Sequence, residues 1–236
     1  GHFGGANSMA VKVAEIIGAE PVITTATDVH NKIGIDTIAG KYFLHIDDTQ
    51  KIKAINSAVL GDKKPNLYIP KGFEFILNDS LIKDSYNLYS SINDDFKAVS
   101  EANEIILRPK KLVVGIGARK GISQSTIQKT IEKMAYKLDL PVERIDTLST
   151  AEIKKDETGI IETASKFNLP LKIISMEKIK NLNDSQCSES PFVRRKFGVS
   201  GISEPSALIA AGEDSKLIYK KTAFNGVTIA LAVSSY

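Results

Sequence analysis

Residues Gly115 to Gly121, Gly-Ile-Gly-Ala-Arg-Lys-Gly, carry the strongest chemical signal in the chain. Glycine lets a backbone N–H approach a ligand with no Cβ in the way. A helix beginning just beyond would add the positive end of its dipole, and Arg119 and Lys120 add full positive charge. A carboxylate or a phosphate is the natural guest of such a turn, Gly115, Gly117, Arg119, Lys120 and Gly121 being its binding residues. The plainer reading is a tight turn with two solvated cations. Spacing narrows the guest. A P-loop needs Lys after its closing glycine, and residue 122 is Ile. A dinucleotide fingerprint needs G-x-G-x-x-G, and here the second interval is one residue too long. Asp146, expected near the end of the next strand, keeps a ribose-binding acid and so a nucleotide reading open.

Other polar groups fall at places where chemistry is done. Gly4-Gly5-Ala6-Asn7 repeats the order of glycines followed by a helix start, with His2 beside it. Thr24, Thr25 and Asp28 end an expected strand, where ligand sites of α/β proteins open. Thr150, Glu152, Lys154, Asp156 and Glu157 cluster before a helix; acids in a first turn are also routine partners of the helix dipole. Arg194-Arg195-Lys196 reads as a solvated charged face. Cys187 has no base near it in sequence, so a nucleophilic role is not indicated. No His, Cys, Asp or Glu cluster has metal-ligand spacing, and no G-x-S-x-G elbow is present.

The elements that must hold these groups follow from periodicity. Ala10, Val13, Ala14 and Ile17 predict a first helix starting at Asn7 or Ser8 and stopped by Gly18. Pro21–Thr25 predicts a buried strand. A helix is expected from Asp48 to Leu60. Short strands are expected at Leu67–Ile69, Phe73–Leu77, Tyr86–Tyr89 and, after a short helix, Glu104–Leu107. Arg108-Pro109-Lys110-Lys111 interrupts two apolar runs and marks a domain boundary.

Beyond it the alternation is regular. Leu112–Ile116 is a strand, followed by the glycine turn and a helix using Ile127, Ile131, Met134, Ala135 and Leu138, capped by Ser123 or Ser125. Then come a strand at Arg144–Leu148, a helix at Glu157–Phe167, a strand at Leu171–Ile174 and a short helix at Ser175–Leu182. Asn183–Pro191 is a polar loop. A helix opens at Ser203-Glu204-Pro205 and ends at Gly212. Asn225-Gly226 between Lys216–Thr222 and Val227–Val233 predicts a hairpin. The fold class is α/β: two or three small α/β units, the C-terminal one layered, with a mixed sheet and a terminal β-hairpin.

Bulk properties bound the function. The 236 residues, 42% hydrophobic and 25% charged, suffice for a sizeable core and argue against disorder. A net charge of +3 without an aromatic-laced basic stripe does not point to nucleic acid. A single cysteine excludes an internal disulfide, making a reducing cytoplasm the expected compartment. No apolar run is long enough for a membrane helix. The first residue is not methionine, the pattern of a chain entered in its middle or of a tag remnant at Gly1-His2.

The motifs together resemble the CbiG family of cobalamin biosynthesis. Gly1-His2-Phe3-Gly4-Gly5-Ala6-Asn7 and Pro21–Asp28 are similar to its early signatures. GIGARKG, Thr150-x-Glu152-x-Lys154-x-x-Glu157, Phe197–Ala207, and Lys221 followed by Val227–Ala230 continue in family order, across nearly the whole chain. The resemblance implies a cobalt-precorrin-5A hydrolase, which opens a δ-lactone on the macrocycle and releases acetaldehyde. It implies residues 1–46 as the remnant of an N-terminal α/β domain, 47–108 as a middle region and 109–236 as a C-terminal domain similar to CobE. Ala118 stands where the family often has Cys.

Cobalt-precorrins carry many carboxylates, which Arg119, Lys120, Lys154 and Lys221 would meet with charge-assisted hydrogen bonds. On this reading two glycine loops flank the macrocycle, with Gly4, Gly5, Asn7, Thr24, Thr25, Asp28 and Thr150 among the contacts. Lactone opening needs a general base, for which Glu157, Glu204 and His2 are the candidates. Cobalt travels with the substrate, so no cofactor and no protein metal site are implied. The associations left open are a homodimer or contact with other enzymes of the pathway. A non-catalytic carrier of a corrinoid intermediate and a nucleotide-binding protein are the alternatives.

Overall fold

The computed structural model describes residues 5–18, 27, 30–61, 63–182 and 185–235. The strand expected at 21–25 lies outside them. The chain divides into two compact units, Gly1–Pro109 and Lys110–Tyr236.

In the first unit, helix α1 (Gly5–Ile17) starts at the glycine itself, two residues before the expected polar cap, and stops at Gly18, whose φ of 67° suits a left-handed exit. Helix α2 (Ile35–Lys41) and strand β1 (Leu44–Ile46) were not expected from periodicity; α2 has only seven residues. A 3-10 turn (Thr49–Lys51), capped by Asp48 accepting from the Gln50 N–H, leads into α3 (Ile52–Leu60). After β2 (Asn66–Ile69), the expected strand at Phe73–Leu77 is instead a 3-10 turn, Glu74–Asn78. Phe73 and Ile76 are buried at a spacing of three, so a helical turn and not a pleat satisfies them. Helix α4 (Ser80–Ser85) follows, and then β3 (Asn87–Ser90). The short helix expected before Glu104 is a strand, β4 (Lys97–Ser100). It forms a hairpin with β5 (Asn103–Pro109) through Glu101 at φ 51°.

The sheet order is β1-β5-β4-β2-β3, with only β2 and β3 parallel. Because Leu44–Ile46 pairs with Leu107–Pro109, residues on both sides of position 46 share this sheet.

The second unit contains β6 (Leu112–Ala118), α5 (Gln124–Lys137), β7 (Thr147–Ala151), α6 (Thr158–Lys166), β8 (Leu171–Ile174), α7 (Met176–Asn181), α8 (Pro191–Phe197), α9 (Ser203–Ala211), β9 (Lys216–Phe224) and β10 (Val227–Val233). Strands β6, β7 and β8 are parallel; β10 and β9 add an antiparallel hairpin, in the order β8-β7-β6-β10-β9. Asn225 (φ 46°) and Gly226 (φ 82°) supply the two left-handed residues that such a turn demands. Ser123, not Ser125, caps α5, accepting from the Thr126 N–H.

The strand expected at Arg144–Leu148 begins later, because Arg144 closes a 3-10 turn at Val142–Arg144. Its guanidinium is buried and bonded to Asp146 at 2.8 Å, and Asp146 also accepts from the Leu112 N–H at 2.6 Å. Burial pulls the Arg144 pKa down, with Asp146 opposing. This pair fastens the starts of β6 and β7 together. Asp146 therefore lies at the opening end of its strand, not at the ligand-facing end where a ribose acid would sit.

Helix α9 lies on the sheet at very short range. A Cβ on Gly115 would fall 1.8 Å from the Ser203 carbonyl oxygen and 2.9 Å from Ala207 Cβ. The seam is made of small buried residues, Ser203, Ser206, Ala207 and Ala210. Gly115→Ala must push backbone apart and should cost about 3 kcal/mol or prevent folding. Gly121→Ala, at φ 75° in open space, should cost only about 1 kcal/mol. Urea unfolding of the two variants checks the order; equal losses would refute the close-approach account.

Candidate functional site

Parallel strands place their chemistry at their carboxyl ends. Here Ala118–Gly121 and Ala151–Glu157 emerge there, beside the β9–β10 turn. The glycine segment is shorter as a loop than its sequence suggests. Gly115 and Gly117 are buried within β6, not in a cradle. Gly115 makes room for α9. A Cβ on Gly117 would stand 2.5 Å from Thr228 Oγ1, which bonds the Gly117 carbonyl at 3.2 Å. Thr150 is also buried, its hydroxyl donating to the Ile116 carbonyl at 2.7 Å. These residues build the platform beneath the turn.

The turn itself already binds an anion, supplied by the chain. The Gly121 N–H donates to Glu157 Oε2 at 3.0 Å, and Lys154 Nζ bonds Glu157 Oε1 at 3.0 Å. Lys154 and Glu157 are both largely buried, at 18% and 16% side-chain exposure, so this pair is shielded more than a surface bridge. Partial burial pushes the Glu157 carboxyl up. The Gly121 N–H, the Lys154 ammonium and the charge of Lys120 outweigh it, and the net direction is down. Glu157 is thus ionised at neutral pH and a weak proton acceptor. It flanks α6 without capping it, since its side chain turns to Gly121 instead.

Arg119 and Lys120 remain exposed, and among the described residues neither ammonium nor guanidinium has an ion-pair partner within 4.0 Å. The Arg119 N–H continues the ladder to the Gly226 carbonyl at 2.9 Å, and the Arg119 stem lies close over Gly226, where a Cβ would be crowded at 3.1 Å from Arg119 Cδ and Ile122 Cδ1. A cleft of about 540 Å3 opens beside this turn, lined by Lys120, Ser123, Gln124, Asp156, Glu157 and Glu162 among others. Gly159, which was not anticipated, closes one wall. A Cβ there would meet the Ile122 carbonyl at 2.1 Å, so the first turns of α5 and α6 touch. A glycine at the start of a helix is the signal that could have revealed it.

Glu204 lies elsewhere. It is fully buried in α9 and accepts from the Ser188 N–H (2.7 Å), the Ser188 hydroxyl (2.9 Å) and the Lys221 N–H (2.9 Å). A carboxylate so filled organises backbone and has no exposed face for a substrate proton. Lys221 joins it through its backbone. Arg194, Arg195 and Lys196 are exposed on the last turn of α8. Cys187 is half-buried against the apolar cluster around α9. His2, Gly4, Thr24, Thr25 and Asp28 lie outside the described residues; Gly5 and Asn7 contribute backbone to α1. Among the described residues no three His, Cys, Asp or Glu side chains converge as metal ligands, and no helix is long and apolar enough to cross a membrane.

Known proteins share this chain's pattern. The family model for the cobalamin synthesis G C-terminus matches residues 112–232, and that for the cobalamin synthesis G N-terminal region matches residues 1–28. A probable cobalt-precorrin-5A hydrolase of Methanocaldococcus jannaschii is 36% identical over 242 residues, covering 99% of this chain and 72% of that protein. The cobalt-precorrin-5A hydrolase of Priestia megaterium is 29% identical, covering 100% and 67%. Among solved structures, a cobalamin biosynthesis protein G homolog from Sulfolobus solfataricus is similar over 100% of this chain and 68% of its own, at 27% identity and a TM-score of 0.53. CobE, a protein from the cobalamin biosynthetic pathway, is similar over 53% of this chain and 91% of its own, at 25% identity and a TM-score of 0.50.

The linkage of Glu157 has a definite sign. Its folded pKa is depressed, so its contribution to stability is complete above the ordinary carboxylate range and is lost as pH falls through the folded value. Glu157→Gln should lower stability at neutral pH by about 1–2 kcal/mol. The gap should close once the pH is well below about 4. Thermal melts of both proteins across this range check it; a gap independent of pH would contradict the assignment.

Proposed function

Because the chain belongs to the cobalamin synthesis G (CbiG) family, we propose that it is a cobalt-precorrin-5A hydrolase, opening the macrocycle δ-lactone and releasing acetaldehyde. The observation that carries this is the 36% identity to the Methanocaldococcus jannaschii protein across 99% of the chain. Cobalt enters as part of the substrate, and no resident cofactor belongs to the proposal.

The chemistry has two parts. Water adds to the lactone carbonyl, and the ring C–O bond breaks to give a carboxylate and a hydroxyl group. That hydroxyl then loses its proton, its oxygen becomes the carbonyl of acetaldehyde, and the electron pair of the broken carbon–carbon bond passes into the conjugated macrocycle, as in a retro-aldol step. Both parts generate negative charge next to a substrate already bearing carboxylates. Fixed cations and N–H donors are the groups that stabilise such charge.

Arg119 and Lys120 suit this task. Both are exposed, both sit at the carboxyl end of β6, and the Arg119 stem is held over the hairpin turn. Lys154 is committed to Glu157, so its part is to keep the turn rigid and to leave Lys120 free for the substrate. Glu157, ionised and doubly bonded, acts in this scheme as an anchor for the turn and not as the water-activating base.

About half the chain is similar to CobE, a protein of the cobalamin biosynthetic pathway, over 91% of that protein; a second reading is that the C-terminal unit binds a corrinoid intermediate without chemistry of its own. Incubation with cobalt-precorrin-5A, with acetaldehyde measured alongside the absorption spectrum, separates the two. Acetaldehyde release is expected. A spectral shift with no acetaldehyde favours the binding module and overturns the hydrolase. Arg119→Ala should weaken substrate binding by about 1.5–3 kcal/mol with little change in thermal stability; unchanged affinity would remove Arg119 from the site.

A further inference from the structure

Strand β9 is longer than the strand it pairs with. Thr222 stands opposite Ile229, but the next matched pair is Tyr219 with Leu231, so Lys220 and Lys221 together face Ala230. This is a β-bulge, which interrupts the ladder, bends the strand and re-aims side chains. The bulged backbone is tied to α9. The Lys221 N–H donates to Glu204 Oε1 at 2.9 Å. The Ser188 hydroxyl donates to the same oxygen at 2.9 Å, and the Ser188 N–H donates to Oε2 at 2.7 Å. Glu204 has no solvent exposure, and charge-assisted bonds in such surroundings are strong.

A buried charge is costly unless it is fully paired. An apolar residue at position 204 would fill the same volume without that cost, but would offer the Lys221 N–H no acceptor; a second register shift, at Ile218, follows further along β9. Lysines on an edge strand also discourage pairing with other chains, but that duty needs no buried carboxylate behind them. Strand β9 is the sheet's edge, and Lys220 is exposed and Lys221 half-buried. Among the described residues neither ammonium has an ion-pair partner within 4.0 Å.

We propose that Glu204 is a positioning residue: its buried carboxylate holds the bulge that presents Lys220 and Lys221 as a two-cation element for carboxylates of the substrate. The identity of those carboxylates rests on the hydrolase reading; the coupling between Glu204 and the lysines does not.

The test is a double-mutant cycle on the full chain, with uroporphyrin I, a tetrapyrrole octacarboxylate, as fluorescent probe. Lys221→Met should weaken probe binding about tenfold, and Glu204→Gln by a similar factor. The double variant should be no more than about threefold weaker than either single one, because both changes remove the same element. Losses that multiply, or a Glu204→Gln variant with wild-type affinity, overturn the proposal.

If Glu204→Gln does not fold, deletion of Lys220 removes the bulge with Glu204 intact. It should lose more affinity than Lys220→Met, and equal affinity of those two variants overturns the proposal. Acetaldehyde release by the wild type is measured in parallel. Release with independent losses defeats this inference alone; coupled losses without release defeat the hydrolase reading alone.

Discussion

The contact between α9 and β6 at Gly115 is the constraint on which the second unit depends. The Ser203 carbonyl occupies the space where any other residue would place its Cβ. This approach lets a short helix reach across the central strands. From there the Glu204 carboxylate reaches the edge strand β9, and the Ser188 loop folds onto the same group. A helix held further off by larger side chains would lose these bonds and strand a buried charge. Burial therefore makes the small-residue seam and the Glu204 network interdependent.

Charge compensation is arranged in two tiers at the carboxyl ends of the parallel strands. Lys154 and Glu157 neutralise one another, and Glu157 takes up the Gly121 N–H. Arg119 and Lys120 stay in solvent beyond that closed pair. Such an arrangement separates rigidity from recognition. The inner pair fixes the turn, and the outer cations face solvent, where a polycarboxylate guest can reach them. Electrostatic attraction of this kind chiefly steers and orients a charged ligand, and it weakens with salt.

Much of the second unit was legible in its sequence because its signals are local. Asn225-Gly226 fixed the hairpin through backbone sterics, and Pro205 in the first turn with Gly212 beyond the last bounded α9. Ile127, Ile131 and Met134 marked the buried face of α5. The first unit was less legible. Helix α2, α4 and the 3-10 turn at Glu74–Asn78 are too short for periodicity to declare, and Phe73–Leu77 reads equally well as a strand. Arg144 looked like the start of a strand, but its burial against Asp146 is decided by a partner and not by its neighbours in sequence.

The sequence by itself determined the order of the strands and of most helices beyond residue 110, though not helix α8 (Pro191–Phe197), which it read as a charged run, together with the residue types at the candidate site and the family. These depend on spacing along one chain, which is fully present in a string of residues. Only the tertiary structure decided what those residues do for one another. It turned Gly115 and Gly117 from a ligand cradle into packing positions, since their neighbours, Ser203 and Thr228, are distant in sequence. It filled the Gly121 turn with Glu157 and moved Asp146 to the far end of its strand. It buried Glu204 under three donors and left Arg119 and Lys120 in water. Each outcome depends on which backbone or charge lies within a few ångströms, and sequence spacing alone does not specify that proximity.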